Sequence, residues 1–278
     1  MSIIDPTDGL GPGPREGAGA RGSLAFVGTA TAILRLGSFT LLTDPNFLHR
    51  GQRAYLGKGL WSKRLTEPAL RVDQLPVLDA VVLSHLHGDH FDRVARRSLD
   101  RRPPVLTTPA ASRRLRTWGF DAVGLSTWET LELVRGAERL TVHALPGIHG
   151  RGVMRPLLPP VMGSLLNYAG MGERRRNYIT GDTLTGPHLD AIAERFAPVD
   201  AIIAHLGGTR VLFHTVTMDA SQGLDLLHRM PARRVLAVHH DDYGVFRSPI
   251  AAFVDVVARS GLTTEVTVPA RGETVNLW

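Results

Sequence analysis

The densest chemistry in this sequence lies in the run Ser84-His85-Leu86-His87-Gly88-Asp89-His90, which puts three imidazoles and a carboxylate within six residues. It closes LDAVVLSH (78–85), a continuous apolar run of strand length that reads as a strand covered on both faces. Alternate residues leaving a strand point the same way, so His85 and His87 can reach one metal ion. Gly88 lets the chain turn back and present Asp89 and His90 to a second ion. A solvated His-rich turn is the bland alternative, but ligands of open α/β sheets gather at the carboxyl ends of strands, which favours ligation. The 278 residues contain no cysteine, so disulfides, thiolate ligands and cysteine nucleophiles are excluded together, and a metal must be held by His, Asp or Glu.

The elements that must position this run can be followed along the chain. Residues 1–22 are rich in Gly and Pro with almost no periodic apolar face, and are expected to form a loose tail. From Ser23, SLAFVGTATAILRL and FTLLTDP read as a three-strand meander ending at Asp44-Pro45. Residues 46–75 lack clear periodicity and read as a lid or binding loop, in which Phe47, Tyr55 and Trp61 alternate with Arg53, Lys58 and Lys63. A helix is expected from the N-cap Asp92 to Leu99, then a strand at 104–108, a helix at 110–118 and two antiparallel strands within 122–146. Strands at 164–169 and 176–181, a helix at 187–196, a strand at 199–205, a helix at 218–230, a strand at 234–239, a helix at 248–260 and closing strands at 263–268 and 273–277 complete the order. With no linker between Ser23 and Trp278, one α/β domain of sheets sandwiched by helices follows.

The H-x-H-x-D-H run after a buried strand resembles the signature of the metallo-β-lactamase fold superfamily over about residues 23–278, and most closely the branch with ascorbate-6-phosphate lactonase and N-acyl-phosphatidylethanolamine phospholipase D type enzymes. The resemblance implies a four-layer αββα sandwich of two mixed sheets flanked by helices. It also implies a third histidine for the first metal, a bridging acid, a late histidine for the second metal and an acid after an early strand. His149 in ALPGIHG, Asp182 in YITGDT, His239 in VLAVHHDDY and Asp44 in LLTDP stand in that order. The metal set is then His85, His87, Asp89, His90, His149, Asp182 and His239, with Asp44 behind it, accepting the other N–H of a ligand imidazole. His143 is the rival of His149, helix capping near 187 is the rival role of Asp182, and His240 is the rival of His239, the family pattern selecting His239. His205, at the end of DAIIAH, lies on the expected rim, where it is a candidate proton donor or substrate contact beside Asp89 and Asp182, although a satisfied rim histidine is as economical. Arg151, in the mixed apolar and basic segment 151–166, and Tyr243, in the turn after HHDD, are the substrate-binding candidates.

Five imidazoles and two carboxylates suit two divalent ions, Zn²⁺ first, with Mn²⁺ and Fe²⁺ as competitors because no thiolate selects for zinc. Such a pair, about 3.5–4 Å apart, lowers the pKa of a water held between them to about 7 and makes a nucleophile for acyl or phosphoryl centres. The expected activity is hydrolysis of an ester, lactone or phosphodiester of a small molecule or lipid. True β-lactamase activity is disfavoured, since the dinuclear zinc enzymes of that name commonly place a cysteine where Asp182 stands. A nuclease and a non-catalytic metal-binding relative are the competing classes. The net charge of +6 is spread along the chain and heavy in Arg, which reads as a solvated surface and disfavours nucleic acid as partner. No stretch approaches the roughly 18 apolar residues needed to span a bilayer, and residues 1–22 lack the apolar core of a signal peptide, so a cytoplasmic location is expected.

Overall fold

The apolar runs of the meander become three antiparallel strands, Gly22–Gly28, Thr31–Leu36 and Phe39–Thr43, whose small and β-branched residues are nearly all buried because both faces are covered. The computed structural model describes residues 2–4, 22–211 and 213–278. The meander extends through Ala80–Val82, Val105–Thr107 and Ala122–Gly124, each parallel to the one before, with Thr274–Asn276 on the outer edge, into a seven-stranded sheet. Ala122–Gly124 thus belongs to this first sheet, whereas the antiparallel pair expected within 122–146 is Thr130–Arg135 with Glu138–Pro146 in the second. That second sheet has eight strands and continues through Met162–Gly170, Glu173–Ile179, Val199–His205, Ala232–Val238 and Glu265–Thr267. Its far edge is Ser2–Ile4, which runs parallel to Thr130–Arg135, and the rest of the expected loose tail lies outside the described residues apart from Gly22, which opens the meander.

The sheets face each other across Leu24, Leu34, Leu41 and Val82 on one side and Leu133, Val142, Leu166, Ile203 and Leu236 on the other. Helices Arg93–Ser98 and Pro109–Arg116 cover the outer face of the first sheet. Pro187–Phe196, Ala220–Arg229 and Ile250–Arg259 cover that of the second, seating Leu189, Ile192, Leu226 and Phe253 on Ile202 and Val235. The result is the αββα order. Phe39–Thr43 and Ala80–Val82 run parallel, as do Glu173–Ile179, Val199–His205 and Ala232–Val238, so the carboxyl ends of the strands within each set open on one edge of the sandwich. Asp44, His85, Asp182, His205 and His239 occupy the last position of such a strand or the first few beyond it. Among the described residues no helix is long and apolar enough to cross a membrane.

Candidate metal centre

Each chemical residue is delivered by a strand end followed by a tight turn. Past Val82, the amide of Leu83 still bonds Leu106 O at 2.9 Å, and the chain then leaves the sheet to carry the histidine run. Gly88 is required there, because a Cβ would meet the backbone N and O of Tyr55 at 2.7 Å, and its N–H donates to Tyr55 O at 2.8 Å. Gly181 has φ +61 and sits against Ser84 and Met162, which turns Asp182 inward. His239 follows strand Ala232–Val238 with φ +59, held by its N–H on Thr29 O at 2.7 Å. Left-handed backbone at a non-glycine residue costs of order 1–3 kcal/mol and persists where the surroundings over-determine it.

These turns bring two clusters together. His85, His87 and His149 form one, with His87 Nδ1 lying 3.0 Å from His85 Nε2 and 3.2 Å from His149 Nε2. The other holds His90, Asp182, His205 and His239; Asp182 Oδ2 is 3.1 Å from His90 Nε2, and Asp182 Oδ1 is 3.1 Å from His205 Nδ1 and 3.6 Å from His239 Nδ1. Asp89 Oδ2 stands 3.4 Å from His239 Nε2 and 3.9 Å from His90 Nε2. All are buried, and within each cluster one ligand atom per residue lies within 4.8 Å of the others.

A cation resolves what the polar groups leave unresolved. Three imidazole nitrogens converge near His87 Nδ1 with too few protons to bridge them, and both ring nitrogens of His239, Nε2 of His205 and Oδ1 of Asp89 are buried without a hydrogen-bond partner. Native interiors rarely leave such atoms orphaned. The donor set of imidazoles and carboxylates therefore fits divalent transition metals.

The centre opens on a cavity of about 330 Å³ through His87, Asp89, His149 and Asp182. Its other walls come from Leu56–Leu60, Met154, Leu157, Leu158, Thr209–Val211 and Val216. Segment 46–75, expected as a lid or binding loop, and the mixed apolar and basic segment 151–166 thus both line it; the first carries a hairpin, Arg53–Tyr55 with Trp61–Lys63, that periodicity did not reveal. The two substrate-binding candidates lie elsewhere. Tyr243 is buried against Leu48, Ala54 and Leu56, with its hydroxyl donating to Asn46 Oδ1 at 3.1 Å. Arg151 points away from the cavity and donates to Thr185 O. His143 stacks edge-on against Phe196, outside the centre.

Residues 40–240 match the model of the beta-lactamase superfamily domain. The chain belongs to the beta-lactamase superfamily. Its fold is the metallo-β-lactamase hydrolase fold: the crystal structure of a possible metal-dependent hydrolase from Veillonella parvula superposes with a TM-score of 0.78 at 23% identity, covering 92% of this chain and 99% of that one. N-acyl-phosphatidylethanolamine-hydrolyzing phospholipase D 1 of Caenorhabditis elegans is 26% identical over 230 residues, 78% of this chain and 63% of that protein. Uncharacterized proteins of Mycobacterium bovis and Mycobacterium tuberculosis are 26% identical over 217 residues, 77% of this chain. The matched region spans 56% of those mycobacterial relatives' length.

In this beta-lactamase superfamily domain the residues behind the centre fix the imidazoles. Asp44 Oδ2 is 3.1 Å from His90 Nδ1, and the same carboxylate accepts from Ser84 N at 2.7 Å and Ser84 Oγ at 2.9 Å. His149 Nδ1 donates to Val216 O at 2.9 Å, and Ser84 Oγ is 3.0 Å from His85 Nδ1. Neither Ser84 nor Val216 carries a sequence signal. Asp44→Asn keeps the shape and tolerates the φ of +34 at this position, but turns an acceptor toward an N–H into an amide. It should weaken zinc affinity by about 10–100-fold in chelator competition, and unchanged affinity would remove Asp44 from the supporting shell.

Burial dominates the electrostatics. It lowers His85 well below the ordinary value, helped by the charge of His90, and lowers His87 to about 3, His149 and His205. Burial also disfavours the charge on His90, but Asp182, Asp44 and Asp89 outweigh it and raise this one imidazole well above the ordinary range. Burial pushes Asp182 up, yet His239 and His90 hold it well below the usual carboxylate range. In metal-free protein the unfolded chain takes up protons near pH 6.5 on these four imidazoles, which the folded chain keeps neutral, and on His143, His188 and His240, which burial lowers as well. Stability therefore falls as pH drops below that value, by up to about 1.4 kcal/mol per pH unit for each of the four, while His90 alone acts in the opposite sense. Urea midpoints in chelator should drop between pH 7 and 5.5; a flat profile would show that these rings titrate normally.

Proposed function

We propose that the chain hydrolyses an ester, lactone or phosphodiester of a small molecule or lipid, with two divalent ions, zinc first, held by His85, His87 and His149 and by Asp89, His90, Asp182 and His239. The reading is carried by the two buried ligand clusters, which share one apolar-walled cavity. When bound, the ions supply Lewis acidity and lower the pKa of a water toward 7. Asp89 lines the cavity, its Oδ1 has no hydrogen-bond partner, and it would be the carboxylate that holds a proton during hydrolysis and returns it to the leaving oxygen. Asp182, anchored by His90 and His205 in the second cluster, would be the carboxylate assigned to bridge the two ions. His205 joins the second cluster directly, so its role is ligation or orientation of Asp182 before proton donation. Leu56, Leu60, Met154 and Leu158 suit an acyl or other apolar moiety, and Lys58 and Arg210 on the same wall suit an anionic group.

The test is elemental analysis of protein reconstituted with Zn²⁺ or Mn²⁺, followed by a panel of lactones, phosphodiesters and acyl esters. Two ions per chain and chelator-sensitive turnover of one class are expected. Protein that takes up no metal, or holds two ions and turns over no class in the panel, would sink the reading.

A further inference from the structure

Among the described residues, half of the large apolar side chains left exposed crowd around the cavity. Tyr55 and Trp61, 46% and 54% exposed, stack on each other with centroids 4.9 Å apart across the 53–63 hairpin. Val153 and Leu157, 70% and 44% exposed, stand on the Gly152–Leu157 turn. Phe213, between strands Arg210–Val211 and His214–Thr215, is fully exposed. All three segments also supply cavity walls, so these side chains ring the entrance. None contributes to a buried cluster, and a rim of this kind marks an interaction surface.

The three segments that carry the rim bear charge of one sign. Residues 45–66, 139–172 and 201–218 contain no Asp or Glu, whereas the rim segments carry Arg53, Lys58, Lys63, Arg155 and Arg210, and the chain's only two lysines are both on the hairpin. Among the described residues, none of these five cations is engaged by a carboxylate. We propose that the cavity mouth docks on an anionic lipid surface, with Trp61, Tyr55, Val153 and Phe213 entering the interfacial layer and the unpaired cations meeting lipid phosphates. Aromatic rings favour the headgroup level, and cations near an anionic membrane add to the attraction. A protein seated on these tips would stopper the cavity, whereas a lipid layer leaves it open to molecules leaving the bilayer. The proposal is independent of which bond the centre cleaves.

The experiment is flotation of the full, metal-loaded chain with phosphatidylcholine vesicles, with and without phosphatidylglycerol, at two salt concentrations. Binding should require phosphatidylglycerol, weaken with salt, and shift the Trp61 emission to the blue, a shift absent in Trp61→Phe. Arg53→Gln with Lys63→Gln should weaken binding roughly 25-fold, about fivefold per cation. Trp61→Ser with Phe213→Ser should weaken it at least about tenfold. Metal content and melting point of both pairs report that the fold is kept. The proposal is overturned if the parent chain ignores anionic vesicles at low salt, or if both folded variants bind as it does. Concentration-dependent dimerisation abolished by the same substitutions would also overturn it, by assigning the rim to a second copy of the chain.

Discussion

Asp182→Ala should cost the protein at least one metal ion and lower turnover by at least about 100-fold, a floor set by what loss of a mere supporting residue does to a metal site. Among the described residues, Asp182 is the one carboxylate in contact with three imidazoles of the second cluster, at 3.1, 3.1 and 3.6 Å. Its removal takes away a ligand atom and also the counter-charge that keeps His90 raised, leaving Asp44 and Asp89 to balance that ring. Asp182→Asn separates the two effects, since the amide keeps an acceptor oxygen and the volume but no charge. Metal per chain should fall in both variants, and turnover should fall in both. A variant holding two ions and turning over at the parental rate would remove Asp182 from the centre and leave its inward turn at Gly181 without a function.

The sequence made the backbone of this site legible because its signals are local. The histidine run, the strand before it and Asp92 all lie within a few residues of each other, and Asp92 caps its helix through Val94 N and Ala95 N as its position predicts. Asp92 also accepts from Phe47 N and Leu48 N, which ties the loop after Asp44 to the ligand-bearing turn, a link between residues more than forty positions apart that no spacing reveals. The same limit explains the two misplaced substrate candidates. Tyr243 is held in a buried network in which Arg64 donates to Asn46 and pairs with Asp242 at 3.4 Å, and Asp242 accepts from Thr29 N at 2.7 Å. Nothing local distinguishes such a tyrosine from one facing a cavity. His205 was readable as a strand-end histidine, but its contact with Asp182 depends on the parallel pairing of Glu173–Ile179 with Val199–His205, a tertiary fact. The Ser2–Ile4 strand was hidden for a different reason: three residues are too few to show a period.

His239→Ala should lose the second-cluster ion and nearly all turnover, while His240→Ala should keep both ions and most of the rate. The expectation from the sequence is that neighbours on a strand face opposite ways, and the structure reaches the same separation by another route. The strand ends at Val238, and His239 sits in a left-handed turn that sends its ring between Asp89 and Asp182, with both ring nitrogens free of hydrogen bonds. His240 faces Asp241 at 3.7 Å instead, so its loss removes packing and a cost of at most about 1–2 kcal/mol is expected. Because alanine is itself strained at φ +59, His239→Asn is the needed companion: asparagine tolerates this backbone and cannot replace the imidazole at the same reach. If Asn restores melting temperature but not metal or rate, the loss belongs to the ligand and not to the turn. If both His239 variants keep two ions and the His240 variant loses one, the late ligand is His240, and the turn at Thr29 then serves only to end the strand.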